Sequence, residues 1–290
     1  MEEAEKKAKA RLEFKSMDWI GSWSLSIAVM TLMLGLSIGP SVGWSSVWCI
    51  GTFVLSVVMT TAFVHRIRTA AHPLIPAEYF RRRNFVMPMV LRASANFAYF
   101  GAFFLFPLLM EEGFGYSIPR VGALAIARPL TFALCSPIAG YVAIRIGERI
   151  SAIAGATFLT ASLALFALLH PTSGAWMVAV ALALSGLGMG VAMPSSSSVM
   201  ANEVKTNEFG VMSAAQMLAM QVGEVAGIQV LETIQQALVH RRGLSHAKPG
   251  PALLATFHLP FLIGACVGAI GLASSLFIRS VPRTHTKSTH

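Results

Sequence analysis

Eight apolar runs, each about twenty residues or longer, constrain this chain more than any other feature. They lie at about residues 19–39, 44–65, 85–110, 119–144, 151–169, 175–200, 208–235 and 254–279. Only helices or closed barrels satisfy the backbone in a hydrocarbon core about 30 Å thick. Barrel strands alternate polar and apolar residues over about ten positions, and these runs do not alternate. The sequence therefore predicts an all-α integral membrane protein with about eight transmembrane helices.

The charge of the chain predicts contact with lipid. Hydrophobic residues make up 55% of the sequence and charged residues only 12%, about half the charged share of an ordinary soluble domain. The formal net charge of +9 would also suit nucleic acid. Its basic residues, however, lie between the apolar runs and form no single patch, which suits anionic headgroups. We expect a lipid bilayer as the surrounding partner and no nucleic acid.

The cysteines and histidines indicate neither a metal site nor an enzyme. Cys49, Cys135 and Cys266 lie inside apolar runs, without a CxxC or Cys–His neighbour. We expect them to pack as small hydrophobic side chains. No HExxH, GxSxG or phosphate-loop sequence occurs at the edge of a span. We therefore expect no cofactor, no metal and no catalysis.

The distribution of lysine and arginine predicts the orientation. Most of the 22 basic residues lie in segments 1–17 and 66–84 and in the later connections on the same side. The connection 236–252 on the opposite side carries Arg241, Arg242 and Lys248 and is the one mild exception. The positive-inside rule then places both termini in the cytoplasm, as expected for a multi-pass protein of the plasma membrane.

Six short motifs follow one another in a characteristic order. They are Asp18-Trp-Ile-Gly21, Gly39-Pro-Ser-Val-Gly-Trp44, His72-Pro-Leu-Ile-Pro76 with Phe80-Arg-Arg-Arg-Asn-Phe85, Gly115-Tyr-Ser117, Gly140-Tyr-Val-Ala-Ile-Arg-Ile-Gly-Glu-Arg149, and Gly186-Leu-Gly-Met-Gly-Val-Ala-Met-Pro194. Their order and spacing resemble the fourteen-helix drug:proton antiporter branch of the major facilitator superfamily. The resemblance covers nearly the whole chain and implies that it corresponds to helices seven to fourteen. The family's first six helices would then be absent.

The resemblance implies the function as well. Members of this branch exchange protons for drugs or other amphipathic, often cationic molecules by alternating access between two halves. A proton gradient would be the energy source, without a cofactor. Since one bundle has no facing half, we expect a separate amino-terminal half or a homodimer as partner. The alternative is a non-transporting membrane protein, either a truncated remnant or an accessory or scaffold subunit.

The resemblance also implies a domain order, with a second six-helix bundle and two accessory helices. We expect a charged cytoplasmic segment at 1–17, an accessory hairpin at 18–65, a basic connection at 66–84, the bundle at 85–280 and a cytoplasmic tail at 281–290. Pro76 favours the start of a short interfacial helix in the basic connection. Ile75, Tyr79 and Phe80 would then face the acyl boundary. A plain basic loop is the alternative.

A cytoplasmic loop motif follows the fourth span. Its residues are Gly140, Arg145, Gly147 and Arg149. In the family, the glycines allow close approach of helix ends, and the arginines engage a carboxylate or a helix end. The family's Asp is replaced by Ile144, which removes one partner of that network. The alternative is that both arginines only anchor the loop on the inner side.

Glu224 is the most informative ionisable residue, because a carboxylate is costly in the middle of a span. Met217, Gln221, Glu224 and Ile228 share one stripe of the helix, and Gln216 lies beside it. The family often has Gly at the position of Glu224, so the carboxylate is not part of the common pattern. We expect a proton-linked or substrate-contacting role; a structural ion pair or a decayed position is the alternative.

Arg92, Asn96, Tyr99 and Phe103 recur at helical spacing and give the third span one polar and aromatic face. The resemblance implies that this span lines the central cavity. Arg92 lies about two turns from the cytoplasmic end of the span, so its side chain could instead reach the headgroups.

Arg128 lies inside the fourth span and directly precedes Pro129, which frees a carbonyl and predicts a kink. Two costly charges in one bundle suggest an ion pair between Arg128 and Glu224. This pair is a hypothesis from charge alone.

Small residues mark the sixth and seventh spans. They are Gly186, Gly188, Gly190 and Pro194 in the sixth span and Gly223 and Gly227 in the seventh. The resemblance implies that both helices help to gate the cavity. Close helix packing without a gating role is the alternative.

Overall fold

The structure is a computed structural model that describes residues 18–70, 76–205 and 208–279. Predictions for segment 1–17, for His72 and Ile75, and for the tail 281–290 lie outside these residues. Eight stretches of the described chain are helical, long enough and apolar enough to cross a membrane. The predicted all-α, multi-pass membrane fold is therefore confirmed.

The helices agree closely with the predicted spans. They are α1 (Trp19–Val42), α2 (Val47–Thr69), a 3₁₀ helix (Ala77–Arg81), α3 (Arg83–Leu108) with a π turn (Leu109–Gly113), α4 (Ile118–Ala125), α5 (Ala127–Ile146), α6 (Glu148–Ala167), α7 (Ala175–Ala201), α8 (Phe209–Arg241) and α9 (Pro251–Leu276). The fourth span consists of α4 and α5. The seventh span runs beyond residue 235, because the glutamines that interrupt its apolar run are still good helix formers.

The chain packs as two compact units, the first ending at Arg82 and the second beginning at Arg83. The first unit contains the hairpin of α1 and α2. The Asp18 carboxylate caps α1 by accepting the Gly21 N–H at 3.0 Å, and it lies 3.0 Å from Nε of Arg66 on α2. The Asp18 carboxylate is therefore the N-cap of the first helix and also forms an ion pair with the end of the second.

A short helix does form in the basic connection, as one of the two alternatives predicted. It is a 3₁₀ helix that begins after Pro76, and its Tyr79 side chain is fully buried. The Arg82 guanidinium lies 4.8 Å from the centre of the Tyr79 ring and 3.4 Å from the Glu78 carboxylate. Tyr79 therefore packs within the protein and does not face the acyl boundary.

The second unit is a bundle of six spans. Helix α3 packs along α8 and α9, while α7 packs along α5 and α6. The Phe166 and Phe261 rings stack in the core with centroids 5.0 Å apart, and Phe106 lies beside them. Because lipid tails are as apolar as these side chains, packing rather than exclusion from water holds the helices together.

Two glycines bring α8 against α3. A Cβ at Gly223 would lie 2.9 Å from the carbonyl carbon of Ala93, and one at Gly227 would lie 2.7 Å from Cα of Phe97. The two backbones are therefore in direct contact, as in other small-xxx-small pairs. Since Gly223 precedes Glu224 in the sequence, this contact also sets the position of the glutamate.

The glycines of α7 contact two different helices. A Cβ at Gly186 would collide with the carbonyl oxygen of Arg128 on α5, and one at Gly188 would lie 2.6 Å from the Leu159 nitrogen on α6. Gly190 is less crowded, with the Phe132 oxygen at 3.2 Å. Helix α7 continues through Pro194 to Ala201 without a break. This geometry is close packing; a role in gating stays a prediction.

Two spans of this unit are much more exposed than the others. Only 11% of the apolar window of the fourth span and 22% of that of the seventh are buried, against 44% or more for the other four spans. Helices α4, α5 and α8 therefore present wide faces that the bundle itself does not cover.

We expect Gly223→Ala to destabilise the bundle, since the added methyl group has no space beside Ala93. Overpacking of this kind costs about 1–3 kcal/mol. The measurement is the temperature at which the purified chain in detergent loses its monodisperse peak in size-exclusion chromatography. Gly210→Ala on the same helix is the control, because its Cβ would meet no described atom within 4 Å. Equal melting temperatures for the two variants would contradict the contact.

Candidate functional site

Pro129 divides the fourth span, as the sequence predicts. It has no N–H to donate to the carbonyl of Ala125, and its ring crowds that oxygen. Helix α4 ends at Ala125, and α5 starts at Ala127. The break places Arg128 in the first turn of α5, facing α3.

Arg128 contacts the aromatic face of α3. Its Nη2 donates to the carbonyl oxygen of Tyr99, and the guanidinium carbon lies 3.4 Å from the centre of the Tyr99 ring and 4.8 Å from that of Phe103. The residue is only 2% exposed. Cation–π contacts of this kind are worth about 2 kcal/mol when desolvated. They shield a charge that would otherwise be costly inside a membrane.

The structure does not form the ion pair that charge alone suggested for Arg128 and Glu224. The Arg128 guanidinium is held by Tyr99, and Glu224 is half-buried on α8. Within the described ranges, Glu224 has neither a hydrogen bond nor an ion pair. The hypothesis was wrong for this conformation, because aromatic rings, rather than a carboxylate, surround the cation.

A second polar group connects three helices. Arg92 on α3 donates from Nη2 to the Ser197 hydroxyl on α7 at 2.7 Å, and this hydroxyl donates to Oε1 of Gln216 on α8 at 3.0 Å. Arg92 therefore points into the bundle and does not extend to the headgroups. Asn96, fully buried one turn further along α3, donates to the carbonyl oxygen of Arg92 at 2.7 Å. We call these four residues the Arg92 cluster.

The Arg92 cluster retains unused hydrogen-bonding capacity. Nε of Arg92, Oδ1 of Asn96 and Nε2 of Gln216 are buried and have no partner among the described residues. Gln216 is 7% exposed and Arg92 is half-buried. Buried polar atoms normally find partners, so two free donors and one free acceptor in one place indicate a position for water or a ligand.

The structure brings some predicted site residues together and separates others. Arg92, Asn96 and Gln216 share one cluster, and Tyr99 joins Arg128. Gln221 is exposed on α8, in the same stripe as Glu224. Ser197 was not singled out from the sequence, although it is the hydroxyl that joins Arg92 to Gln216. The run of four serines after Pro194 was the available signal.

The cytoplasmic loop motif uses its two arginines differently. Arg149 donates to the carbonyl oxygen of Leu276 at the end of α9, at 2.9 Å, whereas Arg145 bonds the hydroxyl of Tyr141 on its own helix. Gly147 ends α5 with φ of 94°, which favours glycine. A Cβ at Gly140 would meet no described atom within 4 Å, so the predicted close approach is not present there. The side chain of Ile144 lies outside the described set.

Comparison with known proteins shows which family and which relatives the sequence is similar to. The sequence profile of the Major Facilitator Superfamily matches residues 19–228. Multidrug transporter protein MdtP of Bacillus subtilis is 24% identical over 223 residues, covering 77% of this chain and 41% of that protein. The tetracenomycin C resistance and export protein of Streptomyces glaucescens is 27% identical over 232 residues, or 80% of this chain and 43% of that protein. The methylenomycin A resistance protein of Bacillus subtilis is 24% identical over 87% of this chain and 52% of its own length. The chain thus spans about half the length of the curated relatives it matches.

We expect Arg128→Met and Tyr99→Leu to be energetically coupled, because the two side chains are in contact. Their combined effect on stability should differ from the sum of the single effects by more than about 0.5 kcal/mol. The measurement is a double-mutant cycle on unfolding in mixed micelles. The control cycle joins Arg128→Met to Glu224→Gln and should be additive within about 0.5 kcal/mol. Coupling between Arg128 and Glu224, without coupling between Arg128 and Tyr99, would contradict this prediction and support an ion pair between Arg128 and Glu224.

Proposed function

The chain belongs to the major facilitator superfamily, and on this premise we propose that it forms the carboxy-terminal part of an exporter of amphipathic small molecules. The family that six sequence motifs predicted is confirmed by the profile match. Its relatives are named for multidrug transport and for resistance to tetracenomycin C or methylenomycin A. These names support transport of drug-like compounds, rather than catalysis, as the activity of the assembled protein.

The Arg92 cluster carries this proposal. A charged side chain inside a membrane span is costly and is retained mainly where it has a function. Here the cation reaches two other helices through Ser197 and leaves hydrogen-bonding atoms free. A helix that serves only to pack against its neighbours gains little stability from a half-buried cation with unpartnered hydrogen-bonding atoms. A polar site between helices is what a transporter needs in order to bind a solute inside the bilayer.

We propose that the exposed faces of α4, α5 and α8 meet a second six-helix bundle. The half-exposed carboxylate of Glu224, the exposed amide of Gln221 and the 57% exposed Met217 form one stripe. Polar groups on a lipid-facing surface are costly, whereas the same groups suit the wall of a water-filled cavity. A separate amino-terminal half is the partner that fits the relatives' greater length; a second copy of the chain is the alternative.

Glu224 is the residue we propose for proton coupling. It lies in the middle of a membrane span and has no hydrogen bond or ion pair among the described residues, so no described side chain neutralises its charge in this conformation. The basic connections, by the positive-inside rule, favour the plasma membrane orientation in which both termini are cytoplasmic. In this proposed orientation the Arg149 contact with the end of α9 would lie on the cytoplasmic side, as would the predicted segment 1–17 and tail 281–290.

Efflux measurements test the proposal. The full chain would be expressed in bacteria alone and joined to the amino-terminal half of MdtP. Ethidium accumulation would be followed by fluorescence. We expect the joined protein to lower accumulation and a protonophore to restore it. The chain alone should have no effect, because alternating access needs two bundles.

Glu224→Gln in the joined protein should lower the initial rate of efflux at least tenfold, since the glutamine cannot carry a proton. Glu111→Gln is the matched control, because Glu111 is exposed at the end of the third span. Efflux that survives the protonophore, or an equal loss in the control, would contradict coupling through Glu224. Absence of efflux with every partner half would favour the scaffold or remnant alternative.

A further inference from the structure

We propose that the Arg92 cluster, formed by Arg92, Asn96, Ser197 and Gln216 between α3, α7 and α8, binds an anionic oxygen group of the exported compound. The chemical class is an amphipathic acid, such as a carboxylic acid or an acidic phenol. This inference rests on the proposed function and adds to it the charge of the substrate, which the motifs had suggested to be cationic.

The free donors of the cluster fit an oxyanion. The Nε–H of Arg92 and the Nε2 amide of Gln216 are both buried and unpartnered in the described chain. Both side chains contact the same Ser197 hydroxyl, at 2.7 and 3.0 Å, so their free donors lie close together. A guanidinium edge beside an amide donor matches the two oxygens of a carboxylate, and such charge-assisted bonds are about twice as strong as neutral ones.

The cluster also lacks a counter-ion. No carboxylate in the described ranges lies within 4.0 Å of the Arg92 guanidinium. Glu224 is eight residues after Gln216 on α8, which separates them by about 12 Å along the helix axis. A cation without a counter-ion inside the membrane attracts an anion that enters with the solute.

Comparison with Arg128 explains why Arg92 is the binding residue. Arg128 is 2% exposed and covered by Tyr99 and Phe103, so no ligand reaches it without moving α3. Arg92 is half-buried and lies over no aromatic ring in the described residues. Arg128 is therefore enclosed in a helix contact, whereas the Arg92 side chain is partly exposed and its buried free Nε has no ring over it.

The surroundings of the cluster suit an apolar body attached to the acid. The sulfur of Met193 lies 4.0 Å from Nδ2 of Asn96. Methionine side chains adapt to apolar ligands of irregular shape. A few polar groups beside an adaptable apolar side chain suit an amphipathic molecule.

Ligand binding to the full chain tests the inference. The purified chain would be reconstituted in nanodiscs of phosphatidylcholine, which carries no net charge. Three ligands share one aromatic body: pyrenebutyrate, its neutral methyl ester and pyrenebutyl-trimethylammonium. Equilibrium dialysis gives the dissociation constants after subtraction of binding to empty nanodiscs. We expect pyrenebutyrate to bind at least tenfold more tightly than the other two ligands.

Arg92→Gln should weaken pyrenebutyrate binding about tenfold or more and leave the ester unchanged, as expected for loss of a charged hydrogen bond. Arg92→Lys keeps the charge but loses the planar fork, and should weaken binding by a smaller factor. Arg120→Gln removes the same charge from an exposed position and is the matched control. If the Arg92→Gln protein does not stay monodisperse, Gln216→Leu is used in its place. We then expect the affinity for pyrenebutyrate to fall threefold or more.

Equal binding of the acid and the ester to the unaltered chain would overturn the inference, as would unchanged acid binding after Arg92→Gln. The proposed function fails in a different way. Acid binding that depends on Arg92, combined with no efflux of either ethidium or pyrenebutyrate by any joined protein, would contradict export but not the site. Proton-dependent efflux of ethidium with no preference for the acid would contradict the site but not export.

Discussion

The direct contact of the α3 and α8 backbones determines where the polar residues of the bundle lie. Lipid tails offer helices no hydrophobic reason to associate, so close packing must supply the contact energy. Gly223 and Gly227 allow it by leaving space for Ala93 and Phe97. Arg92 is the residue before Ala93, and Glu224 is the residue after Gly223. A shift of one helix along the other would therefore separate Arg92 from Gln216 and change what Glu224 faces.

The bundle accommodates its two membrane arginines in different ways. Arg128 is held at a closed contact by a carbonyl oxygen and two aromatic rings, and its Nε has no hydrogen-bond partner among the described residues. Arg92 has one hydroxyl partner and keeps a donor free. Arg92 differs from Arg128 in being partly exposed and in having further unpartnered polar atoms, from Asn96 and Gln216, beside it. The difference follows from the neighbours on α3, where Tyr99 and Phe103 stand beside one arginine and Asn96 beside the other.

Much of the fold could be predicted from the sequence, because spans and helix breaks depend on local features. The length of the apolar runs predicted the eight spans, and Pro129 predicted the break between α4 and α5. The helical spacing of Arg92, Asn96 and Tyr99 also predicted their common face. These inferences needed only residues within a few turns of each other.

The contacts of the site could not be predicted in this way. Ser197 is 105 positions from Arg92, and its role depends on how α7 crosses α3. The pairing of Arg149 with the end of α9 joins residues 127 positions apart. The suggested Arg128–Glu224 pair failed for the same reason, since opposite charge alone does not fix which helix faces meet. Gly140 was expected to allow close approach, yet it lies on a face that the bundle leaves open.

Whether the α8 stripe lines an aqueous cavity, as we propose, can be measured by its accessibility to water-soluble reagents. Cys49, Cys135 and Cys266 would first be replaced by serine in the protein joined to its partner half. Gln221→Cys would then be labelled in intact membranes with a water-soluble maleimide. Leu262→Cys on α9, which is 52% exposed in the bundle, is the lipid-facing control. We expect fast labelling of the α8 position and slow labelling of the α9 position. Equal protection of both positions would place the α8 stripe in lipid and exclude an aqueous cavity on this face.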